Sequence, residues 1–175
     1  MVEATLGSSH GSSPVGRVQA GRLIALLLPA ALLGGAYAFQ YVGGLFPCEM
    51  CWWQRYPHAA AILLAAAAFT APAASQRSRT LTLLAALGIA ISGLIGVYHA
   101  GVELKVFEGF TTCTSTVKAA STQEMLKQLM AVPLIRCDQV QWSLFGVSLA
   151  GWNAIFSLGG TAVISWLTLS GRRAR

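Results

Sequence analysis

The chain has 175 residues, of which 55% are hydrophobic and only 10% are charged. A soluble globular domain carries about 25% charged residues, so this composition excludes an ordinary soluble protein and indicates a chain that lies largely in lipid. The net charge of +6 would suggest nucleic-acid binding in a soluble protein, but its distribution along the chain gives it another meaning.

The sequence predicts an all-α integral membrane protein with a single four-helix domain at residues 22–170. A helix needs about 20 mostly apolar residues to cross the hydrocarbon core, and no short alternating segments suggest a spanning barrel. The four predicted spans are residues 23–46, 56–74, 80–102 and 142–169. Residues 1–21, which are Gly- and Ser-rich at 7–16, predict a disordered tail, and residues 171–175 form a short basic tail.

The first span has an alternative interpretation. Arg17 and Arg22, the following apolar run and the sequence Ala36-Tyr37-Ala38 resemble a secretory signal with its cleavage site. The apolar character continues to Phe46, which is too long for a signal core, so we favour a retained span. Cleavage would leave three spans and an exported N-terminus.

Small residues recur at helical spacing in the predicted spans. The third span has Gly88, Ser92 and Gly96, and the first has Ala31 and Gly35. Small side chains allow membrane helices to approach closely. Both sets therefore predict helix packing and no chemistry.

Basic residues predict the orientation of the bundle, because Lys and Arg near short loops favour the cytoplasmic side. With both termini and the 75–79 loop inside, that side holds seven basic residues against Glu3 alone. They are Arg17, Arg22, Arg77, Arg79, Arg172, Arg173 and Arg175. The periplasmic loops, residues 47–55 and 103–141, then carry balanced charge, so the basic character reflects topology.

All four cysteines lie in these two outer loops: Cys48 and Cys51 in the first, Cys113 and Cys137 in the second. An even number on the face away from the reducing cytosol is typical of disulfides. Zinc is disfavoured, because no histidine stands at ligand spacing from these cysteines. Structural disulfides fit Cys113 and Cys137, whereas a bridge across two residues constrains little chain entropy and favours redox exchange.

The residues around Cys51 favour redox chemistry. A helix should begin near Cys51, and the partial positive charge of a helix N-terminus stabilises a thiolate. Arg55 follows at i+4, on the same helical face, although alone it could be an arginine that reaches the headgroups. Pro57 fits best in a first helical turn, so a helix that begins at Tyr56 would separate Cys51 from Arg55.

Several other residues have an ordinary structural interpretation. Trp52 and Trp53 are typical of an interfacial aromatic belt, or they could wall an acceptor pocket. His58 and His99 could equally be hydrogen-bond partners or catalysts, and Asn153 predicts an interhelical hydrogen bond. In the long loop, a capping box at 121–124 predicts a surface helix that ends at Pro133.

Together these motifs resemble the disulfide bond formation protein B family over about residues 22–170. The resemblance rests on four spans, a CxxC with Arg55 after it, His99 in GVYHAGVE, Cys113 in FTTC, and Cys137 in IRCDQVQW. It implies an enzyme of the bacterial inner membrane with its active site on the periplasmic face. Such an enzyme would be a protein-dithiol:quinone oxidoreductase that reoxidises a periplasmic thioredoxin-fold thiol oxidase of the disulfide bond formation protein A type.

The resemblance also implies a role for each cysteine. Cys113 would take the partner's thiol in a mixed disulfide and Cys137 would be released, after which Cys48 would exchange with Cys137. Cys51 would face a quinone, either ubiquinone or menaquinone, which passes electrons to the respiratory chain. Arg55 would stabilise the thiolate and the reduced quinone, and His99 would lie near the same pocket.

Two other functions fit parts of the sequence. A vitamin K epoxide reductase-like enzyme also carries a CxxC on a four-helix bundle, but its catalytic pair lies late in the chain. A small transporter or assembly subunit with structural outer disulfides is the non-enzymatic alternative. Polar groups in mid-span would support that alternative, and Asn153 is the one candidate.

Overall fold

The computed structural model describes residues 13–109, 122–123 and 136–170. Four helices fill most of this part of the chain, and a short antiparallel hairpin precedes the last of them. The helices are α1 (Pro14–Tyr41), α2 (Glu49–Ala68), α3 (Gln76–Glu103) and α4 (Leu149–Ser170), and the strands are β1 (Ser143–Leu144) and β2 (Val147–Ser148). Each helix packs on the next along the chain, and α4 packs on α1.

The interior of the bundle is rich in small residues, and many of its large apolar residues lie outside. Its core contains Ala25, Ala61, Ala65 and Ala86, whereas side chains such as Leu63 are largely exposed. This distribution is typical of helices that face lipid. Three helices, α1, α3 and α4, are long and apolar enough to cross a membrane. The structure thus confirms an all-helical bundle of a multi-pass membrane protein, while the fourth span stays a prediction.

Helix α1 begins earlier than predicted. The hydroxyl of Ser13 accepts a hydrogen bond from the backbone N–H of Gly16 at 3.1 Å, and Pro14 occupies the first turn. A serine cap followed by proline is a strong start signal. The prediction of a disordered tail is therefore wrong for residues 14–21, and the helix ends at Tyr41, before the predicted limit of 46.

Helix α2 also begins earlier than its predicted start at 56. Its N-cap is Cys48, and Pro57 lies inside the helix. Residues Cys51 to Arg55 therefore belong to one continuous helix, and the separate turn that Pro57 could have imposed is not formed. The helix ends at Ala68, before the predicted limit of 74.

The predicted fourth span is wrong over residues 143–148, which form the hairpin. Ser143 pairs with Ser148 and Leu144 with Val147. The two turn residues, Phe145 and Gly146, have φ angles of 52° and 78°. Two positive φ values define a turn that matches the twist of paired strands, so the chain turns back before α4 begins.

Small residues mediate packing in α3 as predicted. A Cβ atom on Gly88 would lie 3.1 Å from the carbonyl oxygen of Pro57, and one on Gly96 would lie 3.0 Å from that of Ala150. The same prediction is wrong for Gly35, where a Cβ atom would have no neighbour within 4 Å. Gly35 and Ala31 instead line a cavity.

The predicted surface helix falls largely outside the described residues. Of its capping box, only Thr122 and Gln123 are described, and both are helical.

Candidate functional site: a thiol cluster beside an apolar cavity

Cys48 and Cys51 lie at the N-terminus of α2. The sulfur of Cys48 accepts a hydrogen bond from the backbone N–H of Cys51 at 3.3 Å, and the two Sγ atoms lie 2.8 Å apart. Cys48 is buried and Cys51 is partly buried. The first-turn N–H groups of a helix carry partial positive charge, and Cys51, for which the sequence predicts a thiolate, lies in this first turn.

Cys137 reaches the same cluster from the second outer segment. It is buried together with Cys48, Met50 and Val102. A hydrogen bond with Cys137, and then one with Cys51, raises the pKa of the Cys48 thiol, and burial acts in the same direction. The structure thus brings three of the four predicted catalytic cysteines together at Cys48, and Cys113 lies outside the described residues.

His99 approaches the cysteines from α3. Its Nε2 atom lies 3.6 Å from the sulfur of Cys48 and 3.8 Å from a carboxylate oxygen of Glu103, and both His99 and the Glu103 side chain are buried. The sulfurs of Cys48 and Cys51 and a ring nitrogen of His99 all lie within 4.8 Å of one another. No histidine stands at ligand spacing from the cysteines along the sequence, but the fold brings His99 to them from another helix.

Gln54 connects His99 to a polar network between the helices. Its amide nitrogen lies 3.1 Å from the carbonyl oxygen of Met50 and 2.9 Å from Nδ1 of His99. Its amide oxygen accepts a hydrogen bond from Nδ2 of Asn153 at 2.8 Å. The oxygen of Asn153 lies 2.9 Å from Nε2 of His58. The predicted interhelical role of Asn153 is confirmed, and His58 is its hydrogen-bond partner.

Arg55 is buried and makes its hydrogen bonds to α1. The guanidinium donates to Oε1 of Gln40 at 2.5 Å and to the carbonyl oxygen of Ala36 at 3.2 Å. It also stacks over the rings of Tyr37 and Trp52, each at 4.8 Å. The interpretation of Arg55 as a side chain that reaches the headgroups is wrong, because only 7% of the residue is exposed.

An apolar cavity of about 380 Å³ adjoins the cluster. Ligand sites in proteins occupy about 300–1,000 Å³ and combine apolar walls with a few polar groups. Cys51, Arg55 and His99 supply polar groups here, and Phe39, Trp142 and Phe156 are among the apolar walls. Trp52 and Trp53 do not line it, and Trp53 is 39% exposed, so the aromatic wall comes from other residues.

A charged clamp holds the segment of Cys137 against the end of α3. The Nζ atom of Lys105 lies 2.6 Å from Oδ2 of Asp138, and Nε of Arg136 lies 2.9 Å from Oδ1. Arg136 and then Lys105 hold the pKa of Asp138 well below its usual range. The clamp therefore fixes the residue that follows Cys137.

Three residues of the site were not predicted from the sequence: Gln54, Glu103 and Trp142. Glu103 follows His99 at i+4, so a shared helical face was a usable signal. Gln54 and Trp142 carried none, because glutamine and tryptophan near a membrane surface are ordinary.

Comparison with known proteins decides the family. A model of the family "Disulfide bond formation protein DsbB" matches residues 19–167. The chain belongs to the DsbB family. Disulfide bond formation protein B of Hahella chejuensis is 28% identical over 159 residues, with 87% of this chain and 93% of the relative covered. Disulfide bond formation protein B 2 of Pseudomonas syringae is 26% identical over 144 residues, with coverage of 78% and 79%.

An uncharacterised protein of Rickettsia prowazekii is also similar, with 22% identity over 139 residues, 78% of this chain and 79% of the relative. No solved structure resembles the chain closely enough to count as a match. The matched range of the DsbB family extends from within α1 to within α4 and contains every predicted site residue.

Proposed function

We propose that the protein is a membrane thiol:quinone oxidoreductase that supports disulfide bond formation. It would reoxidise a periplasmic thioredoxin-fold dithiol protein and pass the electrons to ubiquinone or menaquinone. Membership of the DsbB family supports the disulfide-forming role. The remaining steps rest on the chemistry of this site.

The observation that carries the proposal is the position of Cys48. Its sulfur contacts the sulfur of Cys51 in the same helix turn and the thiol of Cys137 from the other outer segment. Thiol–disulfide exchange requires a thiolate to attack one sulfur of a disulfide. These contacts support a role for Cys48 in which the Cys137 thiolate attacks its sulfur and Cys51 leaves as a thiolate.

The exchange would run in two-electron steps, with one S–S bond formed for each one broken. A partner thiolate attacks Cys113 and displaces Cys137, and the partner's second thiol then forms the partner disulfide and releases Cys113. The Cys137 thiolate attacks Cys48 in the Cys48–Cys51 disulfide and displaces Cys51. Cys113 then attacks Cys137, which restores that pair and leaves Cys48 and Cys51 reduced.

The apolar cavity suits a quinone ring, because Cys51 and Arg55 place polar groups beside aromatic and aliphatic walls. A bound quinone would be the acceptor of two electrons and two protons. Arg55 would orient its oxygen through a fixed guanidinium, and Cys51 would present a thiolate. His99 would adjoin the same end of the cavity.

In the proposed arrangement all four helices cross the inner membrane, the thiol cluster faces the periplasm and both termini are cytoplasmic. Arg17 near the start of α1 donates to the carbonyl oxygen of Ser170 at the end of α4. These two helix ends are therefore adjacent, at the opposite end of α1 from the residues that contact Arg55. The basic residues near them support a cytoplasmic position.

The proposal is tested with the purified protein in lipid nanodiscs, a reduced thioredoxin-fold dithiol protein and a soluble ubiquinone analogue. Thiol loss and quinol formation are measured together, and one quinol is expected for each partner disulfide. Cys51→Ser should abolish quinol formation. The exposed neighbour Trp53→Phe serves as the matched control. Full activity in the Cys51→Ser protein, or partner oxidation without quinol, would contradict the proposal.

A further inference from the structure

We propose that Gln54 is a positioning residue that holds His99 as the tautomer with hydrogen on Nε2, so that the imidazole donates a hydrogen bond to Cys48. The inference deepens the proposed function and rests on it for its chemical consequence. The hydrogen-bond geometry from which the tautomer is inferred does not depend on a bound quinone or a protein partner.

The orientation of the Gln54 amide is fixed by its neighbours. Its nitrogen lies 3.1 Å from the carbonyl oxygen of Met50, and a carbonyl can only accept. Its oxygen lies 2.8 Å from Nδ2 of Asn153, and that Asn153 nitrogen in turn lies 3.2 Å from the carbonyl oxygen of Ser92. Both amides are therefore oriented by backbone carbonyls, and rotating either one would place two acceptors against each other.

The fixed amide determines the protonation of the imidazole. The second hydrogen on the Gln54 nitrogen points to Nδ1 of His99 at 2.9 Å, so Nδ1 accepts and carries no hydrogen. In neutral imidazole the hydrogen is then on Nε2. Three groups near the ring can accept from Nε2: the sulfur of Cys48 at 3.6 Å, Oε1 of Glu103 at 3.8 Å, and the backbone of Cys137, with which His99 also forms a hydrogen bond. Both sides of the ring therefore favour the same tautomer.

This tautomer gives His99 a defined role at Cys48. Hydrogen bonds with Cys137 and Cys51, and then burial, disfavour negative charge on the Cys48 sulfur, and an N–H donor from His99 opposes them. His99 would thus stabilise charge on Cys48 during exchange while it stays neutral. The same hydrogen occupies the position that a metal ligand would need, since ligation requires a free nitrogen lone pair. Gln54 therefore also disfavours metal binding by the three-residue cluster Cys48, Cys51 and His99.

The direct test is nitrogen NMR of the full-length protein in nanodiscs with ¹⁵N-labelled histidine. The chain has three histidines, and His99→Asn identifies the signal of His99. In the wild type, Nδ1 should show the shift of a bare ring nitrogen and Nε2 that of a protonated one. At a pH high enough to ionise the new carboxyl group, Gln54→Glu should move the hydrogen to Nδ1, because an ionised carboxylate can only accept, and Gln54→Met should give a mixture.

Ser157→Ala is the matched control, because the Ser157 hydroxyl donates to Asn153 and does not contact His99. It removes a buried hydrogen bond from the same network and should leave the tautomer unchanged. A wild-type signal with hydrogen on Nδ1 would overturn the inference, as would a Gln54→Glu protein that keeps hydrogen on Nε2. Gln54→Glu preserves side-chain volume, so the test does not depend on the Gln54→Met protein folding.

The consequence is measured as the rate of Cys48 alkylation in the reduced protein, with the modified residue located by mass spectrometry. Loss of a hydrogen bond to a charged sulfur should slow alkylation about tenfold in Gln54→Glu, in which the hydrogen leaves Nε2, and less in Gln54→Met, while Ser157→Ala should react like the wild type. An unchanged rate would overturn the role at Cys48. Neither readout needs quinone or partner, so an inactive oxidase with the expected tautomer would contradict only the proposed function.

Discussion

At the scale of single residues, Arg55 combines two functions in one side chain. Its nitrogens bind Gln40 and the Ala36 carbonyl, which ties α2 to α1, while the residue also lines the cavity beside Cys51. A buried arginine held in this way is pre-oriented, because its planar group cannot rotate without losing its partners. If the cavity binds the proposed quinone, this fixed positive charge at the cavity wall would stabilise the negative charge that the quinone gains.

We expect Arg55→Ala to raise the apparent KM for a ubiquinone analogue about tenfold or more, because a charge-assisted hydrogen bond is lost. The KM for the reduced partner should stay the same. Both are measured by steady-state quinol formation. Gln40→Leu is the control, since it removes a partner of the guanidinium and leaves the charge. A normal quinone KM in Arg55→Ala would contradict a role of Arg55 in quinone binding. An equal rise in KM in Gln40→Leu would show that the effect comes from the contact between α1 and α2.

At the scale of the helices, close packing of α2 on α3 positions the cysteines against His99. Gly88 is a point of close approach, because a Cβ there would lie 3.1 Å from the Pro57 carbonyl and 3.4 Å from Cβ of Ala61. The carbonyl belongs to rigid helical backbone and cannot move independently. The distance between the two helices therefore depends on the missing side chain.

Gly88→Val should destabilise the protein by about 1–3 kcal/mol through overpacking, and it should slow electron transfer by separating Cys48 from His99. Stability is measured by unfolding in mixed detergent micelles. Gly159→Val in α4 is the matched control, because no atom lies within 4 Å of a Cβ at that position. Equal destabilisation by the two substitutions would show that valine acts through helix propensity and not through the contact with α2.

The clamp at Asp138 gives a second prediction at this scale. Its carboxylate pKa is lowered, so its stabilising contribution is present above the ordinary aspartate value of about 3.9 and is lost only as the pH falls through the lower folded value. Alkylation of Cys137 should therefore not accelerate through loss of the clamp between about pH 7 and pH 5. Asp138→Asn should accelerate it several-fold at neutral pH, and high salt should accelerate it in the wild type.

Glu108→Gln is the control for Asp138→Asn, since it removes a neighbouring negative charge. Its backbone carbonyl, and not its carboxylate, accepts the hydrogen bond from Tyr98. If Glu108→Gln exposes Cys137 as much as Asp138→Asn does, net charge of the loop and not the clamp protects the thiol.

Hydropathy predicted the helices but not their ends, because the ends depend on local hydrogen bonds that hydropathy does not measure. The Ser13 cap extends α1 into a polar segment, and the sulfur of Cys48 starts α2 before its apolar run. The turn at Phe145 and Gly146 removes residues from the predicted fourth span. Each of these signals involves only a few residues. Hydropathy averaged over a whole span does not detect a signal of that length.

The site was predictable where its residues are neighbours in sequence. The CxxC and Arg55 share one helix, so their spacing predicted a common face, although Pro57 left the start of that helix open. The approach of His99 to Cys48 joins positions 51 residues apart, and it depends on how α2 packs on α3. Gln54 could not be recognised from the sequence. Its role depends on the backbone carbonyls of Met50 and Ser92, which orient the amides of Gln54 and Asn153.

At the scale of the whole molecule, the two outer segments meet at a single buried sulfur. Cys137 reaches Cys48 from a segment that is clamped to α3, and Cys48 caps α2. In the proposed relay, the partner would be kept apart from the membrane acceptor, because only the outer segments would need to contact a soluble protein. The order of the relay can therefore be tested by removing one thiol at a time.

Cys137→Ala should accumulate a covalent complex between Cys113 and the physiological partner. In this variant the Cys113 thiolate attacks the disulfide of the oxidised partner, which forms the Cys113–partner bond and frees one partner thiol. Because Cys137 is not present to displace the partner from Cys113, release of the complex depends on that partner thiol alone. The complex is measured in intact cells by acid trapping, non-reducing electrophoresis and mass spectrometry, which also identifies the partner. Cys48→Ala is the matched control, because Cys137 remains to release the partner and only the later exchange is blocked. Equal accumulation in both variants, or a complex through Cys51, would contradict the order Cys113, Cys137, Cys48.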